Sequence, residues 1–253
     1  MNDFFQLVDQ NNRISYKNLV DYILRSDILN FAFEVKSPFF LGKDLFDGSL
    51  VTHNSQRNNA TFLFRARQNK KVNKGGPDKM SRVAYVLHKS ERYSDEEKNV
   101  ISIGRSSGND ITIVDYAISK QHAKVVRENG RFYVQDYGST NGIEVNNRAV
   151  PFGQRVRLYT GDLVNFGRLQ FVFANPIDFF LRIKRICNQG MPQKMDVLKI
   201  IKILPHKDLL DIAVRNQLNL PSKPSKAIIL SSLYQHLTEE QLIQELSRAP
   251  LFA

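Results

Sequence analysis

A β-sandwich framed by helices is the fold this sequence predicts, and three observations carry it. Between about residues 81 and 175, short apolar runs of period two recur, interrupted every eight to twelve residues by Gly, Asn and Asp turn signals. After Pro176 the apolar spacing changes to the helical kind. Ahead of residue 67, helical spacing mixes with an extended stretch rich in Phe and Gly.

Taken in order, Phe4 to about Leu29 reads as helix, with Phe4, Phe5, Val8, Leu19, Val20, Ile23 and Leu24 near helical spacing and a break around Asn11-Asn12. SPFFLGKDLFDGSL follows as an extended stretch, THNSQRNN as a polar patch and TFLFRA as a short strand. Residues 1–66 thus form a helical and extended N-terminal extension. Residues 67–80 carry Gly-Gly-Pro and a run of Lys and Arg without apolar periodicity, the mark of an exposed linker or long loop.

Residues 81–175 form the sandwich. Val83, Tyr85 and Leu87 alternate with Ala84 and Val86, and further strands are predicted at 99–103, 111–114, 122–126, 131–135, 143–145, 154–158, 163–166 and 169–173. Gly108-Asn-Asp110 marks a turn. Asn129-Gly130 predicts a hairpin, because Asn-Gly supplies the positive φ angles of a type I′ turn. Residues 176–253 form a C-terminal helical region with apolar stripes at 179–186, 197–204, 209–218 and 228–237. Thr238 and Gln241 have capping-box spacing and open a last helix, while LPSKPSK separates two earlier ones.

The net charge of +11 favours an anionic partner of some kind: phosphoprotein, nucleic acid or membrane surface. A single cysteine, Cys187, cannot form an intramolecular disulfide, which fits a reducing compartment. The N-terminus has no secretory pattern and no apolar run reaches the roughly 20 residues of a spanning helix, so a cytoplasmic protein is expected. Five scattered histidines (His53, His88, His122, His206, His236) lack metal-ligand spacing, and no phosphate-binding glycine motif appears. Neither metal nor cofactor is expected.

Four polar clusters fall in the predicted loops: Gly104-Arg105-Ser106, Ser119-Lys120-Gln121-His122, Gly138-Ser-Thr-Asn-Gly142 and Asn146-Asn147. They offer a guanidinium, an ammonium, hydroxyls and an amide, and the nearest carboxylate is Asp136. That donor inventory suits a phosphate monoester, with its three acceptor oxygens. Arg105 can meet two of them, and Ser119, Lys120 and Thr140 supply others. The Asn141 amide suits a peptide backbone.

The series GRSSGNDI, SKQHA, DYGSTNG, GD and FG resembles the forkhead-associated (FHA) domain over about residues 81–175. The resemblance implies a sandwich of about eleven strands that binds phosphothreonine peptides through the loops at one end. It implies that Arg105 and Ser119 hold the phosphate, that Lys120 and Thr140 assist, and that Asn141 holds the peptide main chain. Gly104, His122 and Gly142 would support the site structurally. Where some family members carry an arginine two positions before the motif serine, Ala117 stands here, so selectivity for an acidic residue downstream of the phosphothreonine is not implied. The N-terminal LGKDLFDGSL and TFLFR are similar to extensions of some bacterial FHA proteins.

Two other readings compete with a non-enzymatic adaptor. Ser119, His122 and Asp136 provide the residue types of a hydrolase triad, but without a nucleophile elbow. Residues 209–237 loosely resemble SAP-type helix–loop–helix DNA-binding modules, with Lys223 and Lys226 facing phosphates, although the usual Gly-Lys before the second helix is absent. Otherwise the C-terminal helices are expected to dock a second protein or form a homodimer.

Overall fold

In the computed structural model, which describes residues 3–47, 51–52, 63–64, 83–90, 98–187 and 194–248, the N-terminal helical pattern breaks at Asn12, whose φ of 57° no helix accepts. A 3-10 turn at Phe5–Leu7 precedes it and strand β1 (Arg13–Ser15) follows. The Ser15 hydroxyl accepts from Asn18 N and starts helix α1 (Tyr16–Arg25), and the Asp27 carboxylate accepts from Asn30 N and starts α2 (Ile28–Glu34). The one broken helix expected over Phe4–Leu29 is therefore a strand and two capped helices.

Strand β2 (Phe39–Leu41) and helix α3 (Lys43–Phe46) come next, then a hairpin of β3 (Val51–Thr52) and β4 (Leu63–Phe64), the latter inside TFLFRA. The predicted linker at 67–80 lies outside the described residues. Ten strands then follow: β5 (Val83–Val86), β6 (Val100–Gly104), β7 (Ile111–Thr112), β8 (Ala123–Glu128), β9 (Arg131–Asp136), β10 (Ile143–Val145), β11 (Arg148–Ala149), β12 (Arg155–Arg157), β13 (Leu163–Phe166) and β14 (Leu169–Ala174). Asn129 and Gly130 turn β8 into β9 at φ 50° and 70°, and Asn146 and Asn147 do the same between β10 and β11 at 52° and 63°. Helices α4 (Pro176–Ile186), α5 (Lys194–Ile201), α6 (His206–Arg215), α7 (Lys226–His236) and α8 (Glu239–Arg248) complete the described chain. Before α8, Thr238 N donates to the Gln241 side chain and Gln241 N to the Thr238 hydroxyl, so the capping box forms.

Twelve strands make two facing sheets, one of seven (β1-β5-β2-β14-β13-β10-β11) and one of five (β12-β9-β8-β6-β7). Two of the seven come from ahead of residue 81: β2 lies between β5 and β14, antiparallel to both, and β1 extends the edge beyond β5. The run Phe39-Phe40-Leu41 is apolar throughout because both faces of β2 are covered. Phe40 enters the core between the sheets against Phe166, Phe171 and Phe173. Phe39 and Leu41 point the other way, into a second core built with the helices. The same alternation sends Tyr85 and Leu87 into the first core, Ala84 and Val86 into the second.

That second core unites both ends of the chain: α1 packs on α4, α2 on α4 and α5, and α8 on α4 and α5. Among the described residues no helix is long and apolar enough to cross a membrane. Two polar side chains tie the layers together. Asn12 Nδ2 donates to the carbonyls of His88 and Asp110 at 2.7 and 3.0 Å. The buried Asp110 carboxylate accepts from Ser90 N, Ser102 N, the Ser102 hydroxyl and the Lys89 ammonium. Replacing Phe40 with Ala is expected to lower unfolding free energy in urea by about 3–5 kcal/mol. A change below about 1 kcal/mol would show that Phe40 is not packed in the core between the sheets.

Candidate functional site

Three loops of the sandwich converge at one end: 105–110 after β6, 113–122 before β8, and 137–142 after β9. The approach starts at Gly104. A Cβ built there would sit 2.2 Å from the Lys120 carbonyl oxygen and 2.7 Å from Asn109 Nδ2, so only glycine lets the first two loops touch. The gap is closed by hydrogen bonds to that same Lys120 carbonyl, from the Ser106 hydroxyl at 3.0 Å and Asn109 Nδ2 at 2.8 Å. Arg105 N donates to Ser119 O at 2.8 Å, and Arg105 Nε to Ile118 O at 3.1 Å. The guanidinium is thus anchored at its root, while the residue remains exposed.

His122 is fully buried at the start of β8, its ring edge-on to Phe166. Its Nε2 lies 3.3 Å from the Gly142 carbonyl, which can only accept, so Nε2 carries the proton. Nδ1 then accepts from Ser119 N at 3.1 Å. Burial holds the imidazole pKa below its ordinary value, which favours this neutral, doubly bonded form. One ring therefore fixes two of the loops. The Gly142 carbonyl also receives Gly167 N, from the turn between β13 and β14, and Gly142 has a φ of 72°.

With its backbone held from behind, Ser119 presents its hydroxyl to the third loop. Ser119 Oγ accepts from Thr140 N at 2.9 Å and lies 3.3 Å from Thr140 Oγ1. Thr140 and Asn141 are exposed, and Asn141 Nδ2 donates to Ala117 O at 2.9 Å. Lys120 is also exposed. Arg105, Ser119, Lys120, Thr140 and Asn141 thus lie on one set of touching loops, with Gly104, His122 and Gly142 behind or between them. Asn146-Asn147 does not join them and serves as a hairpin turn.

The hydrolase reading finds no such assembly. His122 Nδ1 engages the backbone N–H of Ser119, while the Ser119 hydroxyl is bonded to Thr140. Asp136 spends its carboxylate on Gly138 N, Ser139 N and the Ser139 hydroxyl within its own turn. For the nucleic-acid reading, Lys223 is exposed, but the Lys226 ammonium donates to the Leu204 carbonyl at 2.8 Å. Among the described residues, no group of three His, Cys, Asp or Glu side chains is placed to hold a metal ion.

One supporting residue escapes a reading of residue types. Asn109 looks like an ordinary turn residue in GND, yet it is buried and joins both loops. At Gly167 a Cβ would meet Ala117 O at 3.0 Å and Asn141 Cβ at 3.1 Å, which is the packing behind the FG pair.

The FHA domain family model matches residues 101–167. The chain is 28% identical over 134 residues to an FHA domain-containing protein of Arabidopsis thaliana, spanning 51% of this chain and 34% of that one. It is 36% identical over 77 residues to the glycogen accumulation regulator GarA of Mycobacterium tuberculosis, spanning 30% of this chain and 46% of GarA. The matches thus cover under half the length of these relatives. Among solved structures, the FHA domain of a Chlamydia trachomatis protein aligns at 19% identity over 55% of this chain and 98% of its own, with a TM-score of 0.30.

Gly104→Ala is expected to destabilise the fold by about 1–3 kcal/mol in urea, because backbone rather than a flexible side chain must move. His122 adds a pH dependence. Its folded pKa lies below the unfolded value of 6.5, so its contribution is complete above that value and falls as the pH drops through it toward the folded pKa. Stability should decline as the pH falls below about 6.5, a slope that His122→Asn flattens. An unchanged slope in the variant would show that His122 is not the group responsible.

Proposed function

We propose, from the premise that residues 101–167 are an FHA domain, that this protein is a phosphothreonine-dependent adaptor. A serine/threonine kinase creates its binding partner and a phosphatase removes it. Arg105 and Ser119 hold the phosphate, Lys120 and Thr140 assist, and Asn141 holds the peptide main chain. Gly104, His122 and Gly142 keep the loops in place. The protein works in the cytoplasm, by binding rather than by catalysis.

The observation that carries this reading is the bonding around Ser119. Its backbone is fixed by His122 and Arg105, and its hydroxyl is joined to Thr140. Donors are therefore gathered where a dianion can sit, with both nearby carboxylates occupied: Asp136 by its own turn and Asp115 by Arg168. A phosphothreonine brings about −1.5 to −2 charges to such a cluster. Each charge-assisted bond contributes roughly 1.5–3 kcal/mol.

Matched peptides bearing phosphothreonine, phosphoserine or unmodified threonine provide the test by calorimetry. Binding is expected only with phosphothreonine, and Arg105→Ala should weaken it at least about hundred-fold, the loss of two such bonds. Equal binding of the unmodified peptide would overturn the proposal. Salt-steep DNA binding lost in Lys223→Ala/Lys226→Ala but kept in Arg105→Ala would favour the nucleic-acid reading instead.

A further inference from the structure

Helices α5 and α7 each carry two apolar stripes: one of each is buried in the core, while the second touches that core only through the half-buried Leu198 and Leu230 and is otherwise exposed. On α5, Val197, Ile200 and Ile201 are buried. Met195 and Leu198 lie on a second stripe that continues through Lys199 to Lys202, spacings of three and four residues that share one helical face. On α7, Ile229 and Leu233 are buried, while Leu230 and Tyr234 form a second i, i+4 pair. A helix that is apolar on two sides needs a cover on both. These second stripes line a groove of about 540 Å³. Met195 and Tyr234 are 53% and 46% exposed, so the groove is open to solvent.

Cations rim this groove. Lys199 and Lys202 line it. At its end the Lys194 ammonium lies 4.8 Å from the Tyr234 ring centroid and donates to the Tyr234 carbonyl, joining the two helices. The nearby acid is Asp196, 3.1 Å from Lys199. Because α5 has eight residues, its length of about 12 Å matches a partner helix presenting anchors at i, i+3 or i+4, and i+7. Met195 gives the floor a side chain that adapts to differing anchors. A second copy of this chain is a poorer occupant, since a two-fold contact through this face would set the rim lysines against their own counterparts.

We infer that the α5–α7 groove is a docking site for an amphipathic helix of another protein, with an apolar stripe flanked by Asp or Glu. The site is separate from the phosphate-binding loops, so it adds a second, phosphorylation-independent contact for an adaptor. Two contacts on one partner would raise effective affinity through local concentration alone.

The test uses the full chain with labelled methyl groups and a synthetic helical peptide bearing Leu at i, i+3, i+4 and i+7 between glutamates. Its Lys-for-Glu twin and a scrambled Glu peptide serve as controls. The Glu peptide should shift the Met195, Leu198 and Leu230 methyl resonances, and the scrambled one should not. Lys199→Glu with Lys202→Glu should weaken the Glu peptide about five- to ten-fold and turn the preference toward the Lys twin. Arg105→Ala should leave all of this unchanged, which separates this outcome from failure of the phosphothreonine reading. No shift at those methyls, equal binding of Glu and Lys peptides, or a concentration-dependent dimer that occupies the groove would overturn the inference.

Discussion

Strand β2 is loaded from both sides. Phe40 completes the core between the sheets, and Phe39 and Leu41 complete the core under the helices. Because side chains alternate along a strand, a slip of one residue would send each into the wrong layer. Register at β2 therefore fixes the sandwich and the helical layer together. Its neighbours β5 and β14 obey the same rule, and Ala174 hands the chain directly to the Asn175 cap of α4. The segments at the two ends of the chain are thus a third layer of the scaffold.

Rigidity at the loop end has a different origin. Much of the loop backbone there is satisfied internally: the Lys120 carbonyl by Ser106 and Asn109, Ser119 N by His122, and the Gly142 carbonyl by His122 and Gly167. What remains toward solvent is a set of side-chain tips. A ligand meeting them need not order the loops first, which is how preorganised sites keep the entropic cost of binding low. A neutral histidine suits that supporting role, since it can donate and accept at the same time.

The features readable in the sequence were local ones. Asn129-Gly130 encodes its turn through φ alone, and Thr238 with Gln241 encodes a helix start through side chains three residues apart. The glycines at 104 and 167 were legible as parts of a motif, though the atoms that exclude a Cβ are remote carbonyls and side chains. Three features were hidden. The caps at Ser15 and Asp27 lie within an apolar stripe that reads as one helix. Strand β2 lies in a stretch that reads as extended, but its place inside the sheet is hidden, because both faces are covered and no alternation shows which way it faces. Asn109 matters through its bond to the Lys120 carbonyl, and no local pattern announces such a partner.

The order of the strands also governs when the fold can be completed. The chain leaves the large sheet at Leu41, re-enters at Val83, and delivers the other neighbour of β2 only with Leu169–Ala174. Lengthening the excursion between Leu41 and Val83 adds little closure entropy, since that cost grows only logarithmically. Pairing across such separations is slow, however, and a nascent chain emerges N-terminus first. Phe39, Phe40 and Leu41 must wait on the ribosome for partners not yet made, and a chain cut short before Ala174 leaves both cores open. Assembly of the loop end therefore depends on synthesis through β14.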